Sequence, residues 1–139
     1  MRLLGDDNPV VQRTVARGII GVKTRLDSRD VVRGLASIFE KNVGVFRFTL
    51  KWVPIDLWVG SDLKSMKEAV NKGKDGIRSD ETWRMTVEKR RYTLHHKIDI
   101  IRELAGLIDA RVDLENPRKI LRIDIVGDCA GVSVIQPRE

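Results

Sequence analysis

Cysteine is almost absent from this chain of 139 residues. Cys129 stands alone, which excludes an intrachain disulfide and a thiolate-rich metal site. A reducing compartment is the natural setting for such a chain. Aromatics make up only 5% of residues, so the stacking platform of a typical single-strand nucleic-acid binder is poorly supplied. No apolar run approaches the length that spans a bilayer, and no membrane association is expected. The opening Met1-Arg2-Leu3-Leu4 is cut short by Gly5-Asp6-Asp7-Asn8-Pro9, so no signal peptide is expected either. Missing too are a Walker loop, a G-x-G-x-x-G after a strand, a G-x-S-x-G elbow and a clustered Cys/His set. Nothing supplies a nucleophile with its base and oxyanion hole at recognisable spacing. The expectation is a cytoplasmic protein that is not itself an enzyme and carries no cofactor.

What is there is enough for a core. Apolar residues make up 42% of the chain and fall in periodic runs, and the length suits one domain, or one domain with an appendage. Charged residues reach 33% with a net charge of +6, which favours an anionic partner.

Periodicity divides the chain. After a polar turn and a short polar lead-in, Arg17 to Thr24 reads as a strand, weakened by Gly18 and Gly21. Asp27 or Ser28 can cap a helix carrying Val31, Val32, Leu35, Ile38 and Phe39, which ends near Lys41-Asn42. Val45 to Val59 alternates like a strand with one buried face, and Pro54 interrupts it. A second helix starts at Ser61 or Asp62 and presents Leu63, Met66 and Val70. A strand over Thr82 to Lys89 alternates Trp83, Met85 and Val87 against Arg84, Thr86 and Glu88. The third helix is expected over His95 to Asp109, burying Ile98, Ile101, Leu104, Ala105 and Ile108. Lys119 to Val126 and Gly131 to Gln136 read as strands joined through Gly127-Asp128. Strands alternating with helices and a closing hairpin argue for a mixed α/β sheet. The first strand and helix look like the second half of a small α/β unit. A truncated start or a partner covering the exposed sheet edge would account for that, and an uncovered edge leaves room for a homo-oligomer.

Charge concentrates at one strand-to-helix corner. Between Trp83 and Lys97 the cations Arg84, Lys89, Arg90, Arg91 and Lys97 face only Glu88, five against one and so a net of +4. At a strand end before a helix, such side chains add to the free N–H groups and positive dipole end of the helix in attracting phosphate. Arginine suits the role because its planar fork holds two phosphate oxygens. Thr93, His95 and Lys97 lie where they could join in. The competing reading is a solvated corner whose cations pair with Glu88, Asp99 or Glu103.

Other residues carry less. Adjacent histidines on a helix point about 100° apart, so His95 and His96 do not share one ion easily, and no third ligand is near in sequence. Asp113 reads as a cap on backbone amides in the Asn116-Pro117 turn. Trp52 and Trp58 read as core, Trp83 as a partly exposed minor stacking candidate, and Cys129 as a small core residue.

Together, Arg84-Met85-Thr86-Val87-Glu88-Lys89-Arg90-Arg91, the helix Ile100 to Ile108, then Val112-Asp113-Leu114-Glu115-Asn116-Pro117 and a closing β-hairpin resemble the THUMP domain of RNA-modifying systems. Ile101-Arg102-Glu103-Leu104-Ala105-Gly106 and Leu50-Lys51-Trp52-Val53-Pro54-Ile55 are similar to its stand-alone branch, whose members are tRNA-binding adaptors for the acetyltransferase that makes N4-acetylcytidine. The resemblance implies a THUMP-like mixed sheet over residues 45–139 and, before it, a partial ferredoxin-like strand-helix-strand region over residues 1–44. It implies tRNA as ligand, around the acceptor stem and 3′ end, and an acetyltransferase subunit as partner. The RNA-contacting set it implies is Arg84, Lys89, Arg90, Arg91, Thr93, His95, His96, Lys97 and Arg102. Two rivals remain: a small RNA-modifying enzyme using Asp99, Asp113 and the histidines, and a structural component of a ribonucleoprotein.

Overall fold

The computed structural model describes residues 5–6, 9–14, 19–41 and 53–137. It divides into two compact units, one holding the first hairpin and helix and one running from Ile55 to Arg138.

In the first unit, β1 (Val10–Arg13) pairs antiparallel with β2 (Ile20–Lys23), and α1 (Ser28–Lys41) follows. Asp27 opens α1 as expected, its Oδ1 accepting the N–H groups of Arg29 at 3.0 Å and Asp30 at 3.1 Å. Among its described side chains Val31 and Leu35 are buried, four apart and so on one face. Asp6 is buried and accepts from the Thr24 hydroxyl and, at 3.3 Å, from the Arg25 N–H. β1 corrects the sequence reading, which took Val10–Arg13 for a polar lead-in. The anticipated strand at Val45–Leu50, the Trp52 position and the Ile38 and Phe39 side chains fall outside the described residues.

The second unit is a five-stranded mixed sheet with two helices on one face. Its strands are β3 (Leu57–Gly60), β4 (Thr82–Arg90), β5 (Arg111–Val112), β6 (Lys119–Val126) and β7 (Cys129–Ile135), in the order β3-β7-β6-β4-β5. β4 runs parallel to β5 and β6, while β7 is antiparallel to β3 and β6. The class is mixed α/β, as the alternation of periods indicated. The helices are α2 (Leu63–Gly73) and α3 (Lys97–Ala105). Asp62 caps α2, its carboxylate accepting from the Ser65 N–H at 2.9 Å.

Odd positions of β4 and β6 supply the core face. Trp83, Met85, Val87, Leu121, Ile123 and Ile125 meet Met66, Ala69 and Val70 of α2 and Ile100 and Leu104 of α3. Each valine, leucine, isoleucine or methionine among them taken fully from water contributes about 1.5–3 kcal/mol. Trp83 lies inside this core at 1% exposure, with its indole Nε1 donating to the Ala110 carbonyl at 3.0 Å, so the stacking role considered for it is overturned. Ile98 is also corrected. The helix begins at Lys97, which puts Ile98 in its first turn on the solvent side, 56% exposed, while Ile100 and Leu104 point inward.

Even positions form the opposite face. There Arg122 holds Asp124 in a bidentate pair at 2.8 and 3.0 Å, which keeps the guanidinium charged above its usual range. Trp58 is on this face too and is half exposed, and Cys129 is exposed at the start of β7, so neither is the core residue expected from its apolar neighbours. Among the described residues no helix is long and apolar enough to cross a membrane.

Candidate nucleic-acid interface

The parallel pairing of β4 with β6, and the antiparallel pairing of β7 with both β6 and β3, bring the carboxyl ends of β3, β4 and β6 to one edge of the sheet. The registers Arg90↔Val126, Val126↔Cys129 and Gly60↔Cys129 set these residues in one row. Ligands of open α/β sheets gather at such edges, because the following helices start there with free N–H groups. Both α2 and α3 begin at this one. Their ends differ in charge. The Asp62 carboxylate fills the start of α2, and the Ser65 N–H holds it below the usual carboxylate range. The α3 cap, His96, makes no side-chain capping bond. Among the described residues the N–H groups of Lys97 and Ile98 have no hydrogen-bond partner.

The cations at this edge are not equivalent. Arg90 and Arg91 are exposed, and among the described residues neither guanidinium has a partner. Lys89 points to the helix side and donates to the His95 carbonyl at 3.2 Å, bracing the loop. Lys97 pairs with Glu88 at 3.5 Å, one of the solvated pairings that the sequence left open. Thr93 and His96 are exposed beside them, whereas His95 is partly buried, its ring centroid 6.3 Å from that of Tyr92.

Two residues of the set stand apart. Arg84 is six residues back along β4, about 20 Å from the edge at the usual rise, with Nη1 donating to the Leu114 carbonyl at 3.0 Å. Arg102 is in the last turn of α3, away from the capped end. Asp113 does what its turn suggested. Its Oδ1 accepts from Glu115 N–H at 3.1 Å and Asn116 N–H at 3.0 Å, and those bonds lower its pKa. Among the described residues no group of three His, Cys, Asp or Glu side chains could hold a metal ion.

Sequence reasoning passed over the parts that fix the corner. Tyr92 is buried between two exposed residues, and its hydroxyl donates to the Ser61 carbonyl at 2.9 Å. Burial raises its pKa, so it stays a neutral donor. Ser61 is also buried, and its hydroxyl donates to the Gly127 carbonyl at 2.8 Å. The available signal was an aromatic residue inside a short, mostly polar loop. Arg91 has φ of 54°, a left-handed conformation that costs a non-glycine residue about 1 kcal/mol.

No family model matches the chain, and no curated protein matches it significantly. Among solved structures it is similar to PH1313 from Pyrococcus horikoshii Ot3, with a TM-score of 0.63 and 13% identity over 92% of this chain and 44% of that one. The solution structure of the THUMP domain of THUMP domain-containing protein 1 covers 53% of this chain, and 84% of that chain is covered, at 23% identity and a TM-score of 0.47. TrmN from Thermus thermophilus is similar over 58% of this chain and 27% of that one, at 13% identity and a TM-score of 0.45. The chain therefore spans less than half the length of PH1313, and at 13% identity what the two share is a fold.

Proposed function

We propose that this chain binds tRNA through the carboxyl edge of its five-stranded sheet. One observation carries the reading: Arg90 and Arg91 are exposed and unpartnered among the described residues, beside a helix start whose first two N–H groups are free. A guanidinium without a carboxylate can offer its whole fork to phosphate, and the helix start at the same carboxyl edge adds its dipole. Lys97 adds charge once phosphate competes with Glu88, and Thr93 and His96 add donors on the rim. Such contacts set register without reading bases, so shape would supply the selectivity.

The finer part of the proposal is an adaptor that presents tRNA to a separate acetyltransferase subunit forming N4-acetylcytidine. It is supported by the resemblance of the basic strand, the Ile101 to Gly106 helix and the Val112 to Pro117 turn to stand-alone THUMP proteins. Binding is tested by Arg90→Glu with Arg91→Glu, which should abolish tRNA affinity while leaving the fold intact. Retained affinity overturns the reading. The adaptor role is tested by mass spectrometry of tRNA nucleosides after deletion of the gene. Loss of N4-acetylcytidine is expected. Unchanged nucleosides, or RNA modification by the isolated chain, would contradict it.

A further inference from the structure

Arg91 occupies a backbone conformation in which glycine or asparagine would be at ease and arginine is not. The residues on either side of it are both tied to the same block. On one side, the Gly127 N–H donates to the Arg90 carbonyl at 2.9 Å. On the other, the Tyr92 hydroxyl donates to the Ser61 carbonyl at 2.9 Å. The block closes on itself: Ser61 donates its N–H to the Asp128 carbonyl at 2.9 Å and its hydroxyl to the Gly127 carbonyl at 2.8 Å. Three strand ends thus hold Arg91 from both sides. Tyr92 and Ser61 are each 7% exposed, so the bond between them is shielded from water, whereas Arg91 itself is exposed.

A linker that only had to join β4 to α3 could relax this residue by carrying glycine. Here an unfavourable conformation is held by hydrogen bonds on both sides, that of Tyr92 buried, at the one residue of the turn whose side chain is a free cation. Imposed strain of this kind marks positions where placement of a side chain matters more than local ease. We propose that Tyr92 and Ser61 are positioning residues that hold Arg91 in its left-handed conformation for contact with phosphate. The inference rests on the tRNA-binding reading above and adds to it a division of labour. Arg91 touches the ligand, and Tyr92 and Ser61 act only through Arg91.

A double-mutant cycle tests this on the full chain, with tRNA affinity measured at one fixed salt concentration and the thermal midpoint of every variant recorded. Arg91→Gly should bind tRNA about tenfold more weakly, as expected for loss of a charge-assisted contact. Its thermal midpoint should stay level or rise, because glycine accepts the conformation. Tyr92→Phe should weaken binding about fivefold in the native background. In the Arg91→Gly background the same change should cost less than about twofold. Ser61→Ala, which leaves the Tyr92 bond in place, should show the same dependence on background. The inference is overturned if Tyr92→Phe costs an equal factor in both backgrounds, which is what a merely structural role gives. It is also overturned if Arg91→Gly binds as tightly as the native chain. Either result leaves the tRNA reading standing, provided the native chain binds with salt-dependent affinity. A native chain without such binding removes the reading and the inference together.

Discussion

Replacing Arg90 and Arg91 together with alanine should change how tRNA affinity depends on salt, and by an amount the structure sets. Each phosphate neutralised by a side chain releases condensed counterions and contributes about 0.9 to the slope of log affinity against log salt on a duplex. Two unpartnered guanidinium groups therefore predict a slope shallower by about 1.8 in the variant. Over a fourfold rise in salt, from about 50 to about 200 mM, the native chain should lose about twelvefold more affinity than the variant does. The count is two because only these arginines are removed, while Lys89, held by the His95 carbonyl, and Lys97, paired with Glu88, are the same in both proteins. Both arginines are exposed, so the fold should keep its stability to within about 0.5 kcal/mol. Anisotropy of fluorescent tRNA at several salt concentrations measures both slopes. An unchanged slope would show that these arginines meet no phosphate and would refute the reasoning.

Three further outcomes follow from named contacts. Glu88→Gln frees Lys97 from its 3.5 Å pair and should tighten tRNA binding about two- to fivefold at low salt, fading as salt rises; unchanged affinity counts against Lys97 as a ligand. Trp83→Phe leaves the Ala110 carbonyl without its indole donor and should cost about 1–3 kcal/mol by chemical denaturation, with the affinity of the folded protein unchanged. Asp62, Glu81 and Asp113 accept backbone N–H groups in the folded chain, which lowers their pKa values below the ordinary ones. Such groups stabilise the fold fully above the unfolded pKa and lose that contribution as pH falls through the folded one. Asp113→Ala should therefore flatten the decline of the denaturation midpoint below about pH 4; an equally steep decline would mean that the turn is not held by that carboxylate.

Much of the second unit was legible because its apolar periods are long. Within β6 the residues Leu121 to Ile125 alternate strictly, and Asp62 announces α2 by chemistry that only a cap explains. The basic corner was legible as well, since charge density needs no fold to be counted. Short elements escaped. β1 has four residues and β5 only two, and both owe their existence to a neighbouring strand rather than to their own pattern. Burial was the other weak point. Alternation says that Trp58 shares a face with Gly60, but not that this face of β3 points away from α2 and α3. Helical spacing likewise set Ile98 inside, where the start at Lys97 leaves it in the first turn on the face away from Ile100 and Leu104. The network of Ser61, Tyr92 and Gly127 was illegible for a different reason. It joins residues up to 66 positions apart through backbone carbonyls, which leave no trace in residue type.

Mapping backbone amide shifts as tRNA is added tests most directly that the carboxyl edge of the sheet is the RNA surface. Perturbations are expected at Arg90 to Ile98 and at Gly127 to Cys129, together with Gly60 in the same row. Shifts confined to the opposite end of the sheet, at Arg111 to Asn116, with the basic corner silent, would contradict it.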